Sequence, residues 1–154
     1  MKAELMIVDG ELRAVEEVRI SPLDLGFSLG DGLFETLRVA AGEARYFERH
    51  YARLAGSAAR LGLEVPGEEE LRSQVGRLVE ATGRREGRLR VTLSAGEPGA
   101  GFARVPGAGR CLLTLTELPA MSGEAARLLT SPFRRLSGAW SGGMKSLSYG
   151  ESQI

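Results

Sequence analysis

The sequence predicts an α+β fold, a small two-layer domain in which two helices pack on a mainly antiparallel sheet. Three observations support this class. Short stretches alternate apolar and polar residues, as half-buried strands do. Two longer stretches repeat apolar residues at helical spacing. A hairpin-type turn at Asp9-Gly10 leads from the first strand into Leu12 and beyond. Both kinds of element in 154 residues fit one two-layer core.

The predicted strands lie at residues 3–8, 33–39, 89–93, 110–118 and 125–130. The second of these has two distinct faces, because successive side chains of a strand point to opposite sides. One face carries Leu33, Leu37 and Val39, and the other carries Phe34, Thr36 and Arg38.

The two predicted helices span residues 46–61 and 68–81. The apolar stripe of the first is Phe47, Tyr51, Leu54, Ala58 and Leu61, and that of the second is Leu71, Val75, Leu78 and Val79. Gly62 and Gly83 are predicted to end them. Residues 1–119 therefore form the predicted small domain. Residues 120–154 are predicted to be a linker and the incomplete beginning of a larger domain.

Composition excludes several functional classes. The formal charge is zero and no long basic run occurs, which argues against nucleic-acid binding. No apolar run is long enough to cross a bilayer, and the N-terminus lacks a secretory signal. Cys111 is the only cysteine, which favours a reducing compartment and hence the cytoplasm. His50 is the only histidine, so a metal site with several histidines is excluded.

Lys145 is the first candidate for chemistry. The chain contains 18 arginines but only two lysines, Lys2 and Lys145. A lysine amine can become an uncharged nucleophile on burial, whereas arginine keeps its proton. Lys145 follows a Gly-rich stretch and precedes the sequence SLSYGES. A catalytic lysine and an ordinary surface lysine both fit this pattern.

Other candidates are open to two interpretations. Arg88 and Arg90 project from one face of their strand, either as a clamp for a carboxylate or as the solvated side of the sheet. The glycines from Gly26 to Gly32 precede a strand, which predicts a tight turn and does not match a nucleotide-binding loop. His50 lies at the edge of an apolar helix stripe, where a structural role is expected.

Three blocks together resemble the class IV, or fold-type IV, pyridoxal-phosphate enzymes. They are DLGFSLGDGLFETLRV, RYFERHYARLAGSAARLGL and KSLSYGES, in this order along the chain. The family includes branched-chain aminotransferases, D-amino-acid aminotransferases and aminodeoxychorismate lyases. The resemblance implies that pyridoxal phosphate is the cofactor and that the protein is a homodimer. It covers essentially the whole chain but about half of a typical member, so we expect a longer native protein.

The resemblance also implies roles for individual residues. Lys145 matches the lysine that bonds to the cofactor and then shuttles protons, and Arg53 matches the arginine that grips the cofactor phosphate. His50 is implied to be structural. Thr36 is expected to take part in catalysis and Tyr149 to pack near the cofactor. The residues expected to line the substrate cavity are Phe27, Phe34, Arg38 and Arg90, with Arg90 placed to handle a substrate carboxylate.

The expected reaction is that of an aminodeoxychorismate lyase, which forms 4-aminobenzoate, a folate precursor, and pyruvate. Thr36 and the stretch LRVTLSAGEPGAGF favour this branch. A branched-chain or D-amino-acid aminotransferase remains the alternative enzyme. A non-catalytic dimerisation or binding domain is the alternative outside enzymes. Two departures from the family pattern are Leu25, where many members have arginine, and Leu29, where several aminotransferases have an aromatic residue.

Overall fold

The computed structural model describes residues 4–119, 123, 125, 127–130, 142–148 and 150. Its six strands form one antiparallel sheet in the order β2-β1-β6-β5-β3-β4. The strands are β1 Leu5–Val8, β2 Glu11–Ala14, β3 Gly32–Ala40, β4 Glu43–Ala44, β5 Gly87–Ser94 and β6 Arg110–Thr116, and the helices are α1 Leu25–Leu29, α2 Phe47–Leu61 and α3 Glu68–Thr82. The predicted α+β class is confirmed.

The hydrophobic core lies between α2, α3 and one face of the sheet. Its largest completely buried side chains come from both layers, and those with no exposed surface include Ile7, Leu78, Leu89 and Leu113. Burial of such side chains is the main driving force of folding. Gly62 and Gly83 end the two helices in the left-handed conformation, at φ of 65° and 63°. Both predicted stop signals are confirmed.

A third, short helix replaces the predicted tight turn at Gly26–Gly32. Asp24, which is buried, caps α1 by accepting a hydrogen bond from Phe27 N at 3.1 Å. Ser94 Oγ donates to the other oxygen of Asp24 at 2.7 Å. Gly30 ends the helix at φ 70°. The prediction was wrong because the cap is held from a strand 70 residues away, which no local pattern reveals.

Arg104 ties the loop between β5 and β6 to both layers. Its Nε donates to Asp31 Oδ2 at 2.7 Å, and its Nη1 donates to the carbonyl oxygen of Leu61 at the end of α2. The hydrogen bond with Asp31 raises the pKa of Arg104. The Gly- and Pro-rich sequence of this loop is therefore anchored at one point near its centre.

The segment after β6 departs from the expected pattern. The described residues 125 and 127–130 form no strand, although the sequence predicted one there. Leu128 and Leu129 are 89% and 97% exposed, so burial of their apolar side chains does not stabilise a strand here. A strand needs a partner for its backbone groups, and no described strand pairs with this stretch. The predicted boundary at residue 119 stays a prediction.

Two further findings concern membrane-spanning helices and the reactivity of the single cysteine. Within the described residues no helix is both long and apolar enough to cross a bilayer. Burial raises the pKa of the Cys111 thiol to about 12, and the nearby carboxylate of Asp9 adds to the shift. The thiol therefore stays protonated at neutral pH and is not a nucleophile.

Candidate active site

Strand β3 divides its side chains between two environments, as predicted. Leu33, Leu37 and Val39 belong to the core beneath α2 and α3. Phe34, Thr36 and Arg38 point to the opposite face of the sheet. On that face Thr36 pairs in register with Arg90 of β5, which pairs with Thr114 of β6. The predicted cavity strand thus presents its candidates on the face that the two long helices leave open.

Lys145 reaches this face because its segment pairs with the start of β3. Phe34 N donates to the carbonyl oxygen of Lys145 at 2.9 Å, and Leu147 N donates to that of Gly32 at 2.9 Å. Ser146 forms an antiparallel bridge with Leu33. The amine Nζ of Lys145 lies 4.7 Å from the centroid of the Phe34 ring. Lys145 is half-buried, so it is not a freely solvated surface lysine.

The glycines of the first motif block make room for this segment. A Cβ at Gly32 would collide with the carbonyl oxygen of Leu93 and lie 2.6 Å from Leu147 Cδ1. A Cβ at Gly30 would lie 3.1 Å from the backbone of Ser148. The block GFSLGDG and the block KSLS therefore pack directly on each other. Sequence reasoning missed this contact, although the three glycines at positions 26, 30 and 32 are its signal.

Arg90 completes a cluster with Phe34 and Lys145. Its guanidinium carbon lies 3.8 Å from the centroid of the Phe34 ring, a cation–π contact. Its Nε donates to Thr92 Oγ1 at 3.2 Å. Burial lowers the pKa of Arg90, and the neighbouring charge of Arg88 lowers it further. No carboxylate among the described residues pairs with Arg90. This half-buried cation is ready to receive an anion.

The remaining substrate candidates lie further out. Arg38 is exposed and 3.6 Å from the Glu86 carboxylate. Arg88, its neighbour in register, is exposed as well, so the carboxylate clamp predicted for Arg88 and Arg90 has one half-buried and one solvated member. The ring of Phe27 is 73% exposed, and no described contact joins it to Lys145 or Arg90. Tyr149 lies outside the described residues.

Arg53 is held on the core side of β3 by a residue that the sequence did not single out. Its Nε and Nη2 donate to the two carboxylate oxygens of Glu35, each at 2.6 Å. His50 Nδ1 lies 2.7 Å from one of the same oxygens. Glu35 is 2% exposed. Its sequence signal was an acidic residue at a core position of a strand, opposite a helix bearing His50 and Arg53.

The electrostatics of this cluster are set by burial and by charged donors. Burial by itself would raise the pKa of Glu35, but the hydrogen bonds from Arg53 and His50 outweigh it, so the pKa lies below its ordinary value. The same bond raises the pKa of Arg53. Both groups therefore stay ionised at neutral pH, and Arg53 keeps half of its side chain exposed.

One edge of β3 is only partly paired among the described residues. The edge of β3 away from β5 is paired with residues 145–147 at its start and with β4 at its end. Arg45 N donates to the carbonyl oxygen of Arg38 at 2.8 Å. Between these two pairings no described strand lies along the edge. Along this stretch Thr36 faces the open side of the sheet, and Glu35, which is 2% exposed, faces the core.

Comparison with known proteins identifies the family. Relatives include a D-alanine aminotransferase from Bacillus licheniformis, 33% identical over 93 residues, which are 60% of this chain and 33% of that protein. A solved 4-amino-4-deoxychorismate lyase from Pseudomonas aeruginosa is 35% identical with a TM-score of 0.63, over 76% of this chain and 41% of that one. A fold IV-transaminase from Curtobacterium pusillum is 26% identical with a TM-score of 0.76, over 97% and 57%.

Pyridoxal phosphate is bound in one of the solved relatives. This hypothetical aminotransferase from Mycobacterium tuberculosis, in the PLP-bound form, is 30% identical, has a TM-score of 0.60 and matches 75% of this chain and 40% of its own. The chain spans about a third of the length of the Bacillus enzyme. The profile of the family described as Amino-transferase class IV matches residues 32–153. Since this match covers most of the sequence, the chain belongs to the class IV aminotransferase family.

Proposed function

We propose that this chain supplies the lysine side of a pyridoxal-phosphate site in an enzyme that acts on an amino substrate with a carboxylate. The observation that carries the proposal is the cluster of Lys145 and Arg90 on the Phe34 ring. It offers an amine for the cofactor aldehyde beside a cation for a carboxylate. The membership of the chain in a family of such enzymes supports the same assignment.

The residues present fit this cofactor. A pyridoxal-phosphate site needs an accessible amine and a cation that binds the phosphate. Lys145 is half-buried at the edge of β3 away from β5, and about half of the Arg53 side chain is exposed. We assign the cofactor to Lys145 and its phosphate to Arg53. When bound, the cofactor supplies an electron sink that makes a proton next to the substrate amine removable.

The chain's own residues then have distinct tasks. Lys145, whose Nζ lies 4.7 Å from the centroid of the Phe34 ring, is assigned the transfer of that proton at the substrate carbon beside the amine. Arg90 holds the substrate carboxylate, and burial strengthens that interaction. Thr36, which faces Arg90, offers a hydroxyl to the reacting group. The ring of Phe34 packs against both cations.

Lys145 provides the test of cofactor binding. Pyridoxal phosphate added to the protein encoded by the full reading frame should give a yellow adduct, and borohydride should fix it on Lys145, located by peptide mass spectrometry. Lys145→Ala should abolish the colour. Lys2→Ala is the matched control, since Lys2 is the other lysine among these 154 residues, and it should keep the colour. A colourless protein, or an adduct at Lys2 alone, would favour the non-catalytic binding domain.

The specific reaction that we propose is that of an aminodeoxychorismate lyase. Two observations support it: Thr36 stands on the open face of β3, and a solved lyase from Pseudomonas aeruginosa is 35% identical. The likeness to D-alanine aminotransferases favours a D-amino-acid aminotransferase as the second candidate. Release of pyruvate from aminodeoxychorismate supports the lyase. Turnover of D-alanine with 2-oxoglutarate, without that release, replaces it with the aminotransferase.

The proposal includes a homodimer in the cytoplasm. The single cysteine is unpaired and buried, in keeping with a reducing compartment. The dimer rests on the likeness to the family alone.

A further inference from the structure

Glu35 is an unusual residue for its position. It lies on the face of β3 that packs beneath α2, between Leu33 and Leu37, and is 2% exposed. A buried carboxylate destabilises a fold unless charged donors compensate for its lost hydration. Three donors do so here, two from Arg53 and one from His50. An ionised carboxylate only accepts hydrogen bonds, so His50 Nδ1 carries its hydrogen.

This arrangement fixes the orientation of Arg53. A guanidinium is planar and rigid, and Glu35 binds it along the edge formed by Nε and Nη2. That leaves the two N–H groups of Nη1 and one of Nη2. His50 Nδ1 lies 3.5 Å from Nη2 but carries its own hydrogen, and no described residue accepts a hydrogen bond from Nη1. The exposed half of the Arg53 side chain therefore presents one defined edge to a ligand.

We propose that Glu35 is a positioning residue, which holds the guanidinium of Arg53 in the orientation that binds the cofactor phosphate. The proposal rests on the proposed function, because it needs a phosphate at Arg53. Glu35 acts through Arg53 and does not touch the phosphate. Its negative charge offsets that of Arg53, so its contribution is orientation of a donor edge and not attraction of an anion. His50 supports Glu35 by satisfying one of the same oxygens.

A role limited to folding predicts a different outcome from a positioning role. Loss of a fold-stabilising contact would weaken the binding of any molecule at this edge to the same degree. Loss of positioning weakens only the binding of a phosphorylated molecule. Pyridoxal phosphate and pyridoxal differ only by the phosphate, so the ratio of their dissociation constants separates the two roles.

The experiment measures the dissociation constants for pyridoxal phosphate and for pyridoxal by absorbance. It uses the protein encoded by the full reading frame and its variants Glu35→Ala and Glu35→Gln. We expect Glu35→Ala to raise the dissociation constant for pyridoxal phosphate roughly tenfold, as loss of hydrogen bonds to a charged group does. The constant for pyridoxal should stay unchanged. The dissociation constant of Glu35→Gln for pyridoxal phosphate should lie between those of Glu35→Ala and the unmodified protein, since an amide oxygen still accepts one N–H.

Glu48→Gln is the matched control. Glu48 lies on the same helix as Arg53 and bonds to Arg72 Nη2 at 3.0 Å, but it is exposed and belongs to a different ion pair. Both dissociation constants should be unaltered in this variant.

Several results would overturn the proposal. Tighter binding of pyridoxal phosphate by Glu35→Gln would mean that the charge of Arg53 matters and its orientation does not. Equal weakening for both compounds, no change for either, or failure of Glu35→Gln to fold would assign Glu35 to the fold. If the unmodified protein itself bound pyridoxal phosphate no better than pyridoxal, the proposed function would fail first, and this inference with it.

Discussion

The two faces of the sheet differ in burial and polarity. The face beneath α2 and α3 is apolar and closed, with Leu37, Val91 and Leu115 almost completely buried. The other face carries arginines and threonines, and Arg90 on it has no carboxylate partner among the described residues. Closure of the first face stabilises the fold. The second face keeps unsatisfied binding capacity, which a purely structural surface has no reason to keep half-buried.

Two adjacent residues of β3 depart from the general character of their faces. Phe34 is an apolar residue on the open face and is 6% exposed, because Lys145 and Arg90 lie against its ring. Glu35 is a charged residue on the closed face, paired with Arg53. Both lie at the stretch where the edge of β3 away from β5 has no described partner strand. The comparison therefore points to this stretch as the place where stability is traded for function.

Substitutions at neighbouring positions of β3 give the largest expected difference in stability between the two faces of the sheet. Leu37→Ala should lower the free energy of unfolding by about 2–5 kcal/mol, because it leaves a cavity in the closed face. Thr36→Ala, one residue away on the open face, should lower it by less than about 1 kcal/mol. Urea denaturation measures both. Similar losses at the two positions would show that packing closes the open face as well.

A smaller effect is expected where the lysine segment meets the sheet. Gly32→Ala should lower the free energy of unfolding by about 1–3 kcal/mol, because the new Cβ overlaps Leu93 and Leu147. It should also speed the acylation of Lys145 by displacing the segment. Gly56→Ala on α2 is the control, since nothing lies within 4 Å of its added Cβ.

That control should raise the free energy of unfolding by up to about 1 kcal/mol, as alanine favours a helix over glycine. If Gly32→Ala left both the stability and the reactivity of Lys145 unaltered, the contact between the two motif blocks would not hold Lys145 in place. Thermal unfolding and timed labelling give the two measurements.

The parts of the fold predicted from the sequence are those with a local signal. The helices predicted at 46–61 and 68–81 agree to within one residue with Phe47–Leu61 and Glu68–Thr82, because apolar spacing along the chain reports burial directly. The two faces of β3 followed from simple alternation. Both results depend only on neighbours in sequence.

The parts that sequence reasoning missed depend on distant partners. Helix α1 forms around Asp24, which Ser94 fixes from another strand. The role of Glu35 becomes visible only in the fold, where α2 places Arg53 within hydrogen-bonding distance of it. The strand predicted at residues 125–130 had the right alternation but no described partner. The site residues came from resemblance, and local pattern alone left Lys145 undecided between nucleophile and surface residue.

The smallest effect concerns the dependence of stability on pH, and it isolates Glu35. Hydrogen bonds from Arg53 and His50 outweigh the burial that would raise its pKa, so the folded state binds its proton less tightly than the unfolded state does. The resulting stability is fully present above the ordinary value of 4.5 and is lost as the pH falls from there through the lowered value. Glu35→Gln should therefore flatten the decline of unfolding free energy in this acidic range.

Salt distinguishes this contribution from that of an exposed carboxylate. The pKa of Glu48 is also lowered, by a hydrogen bond to its own backbone and then by Arg72, but Glu48 is exposed to solvent. High salt screens exposed charges far more than buried ones. At high salt, the unfolding free energy of Glu48→Gln should differ less from that of the unmodified protein than at low salt. That of Glu35→Gln should still decline less steeply with falling pH. If salt erased both differences, Glu35 would be in contact with water, and the closed face of β3 would not be closed at this point.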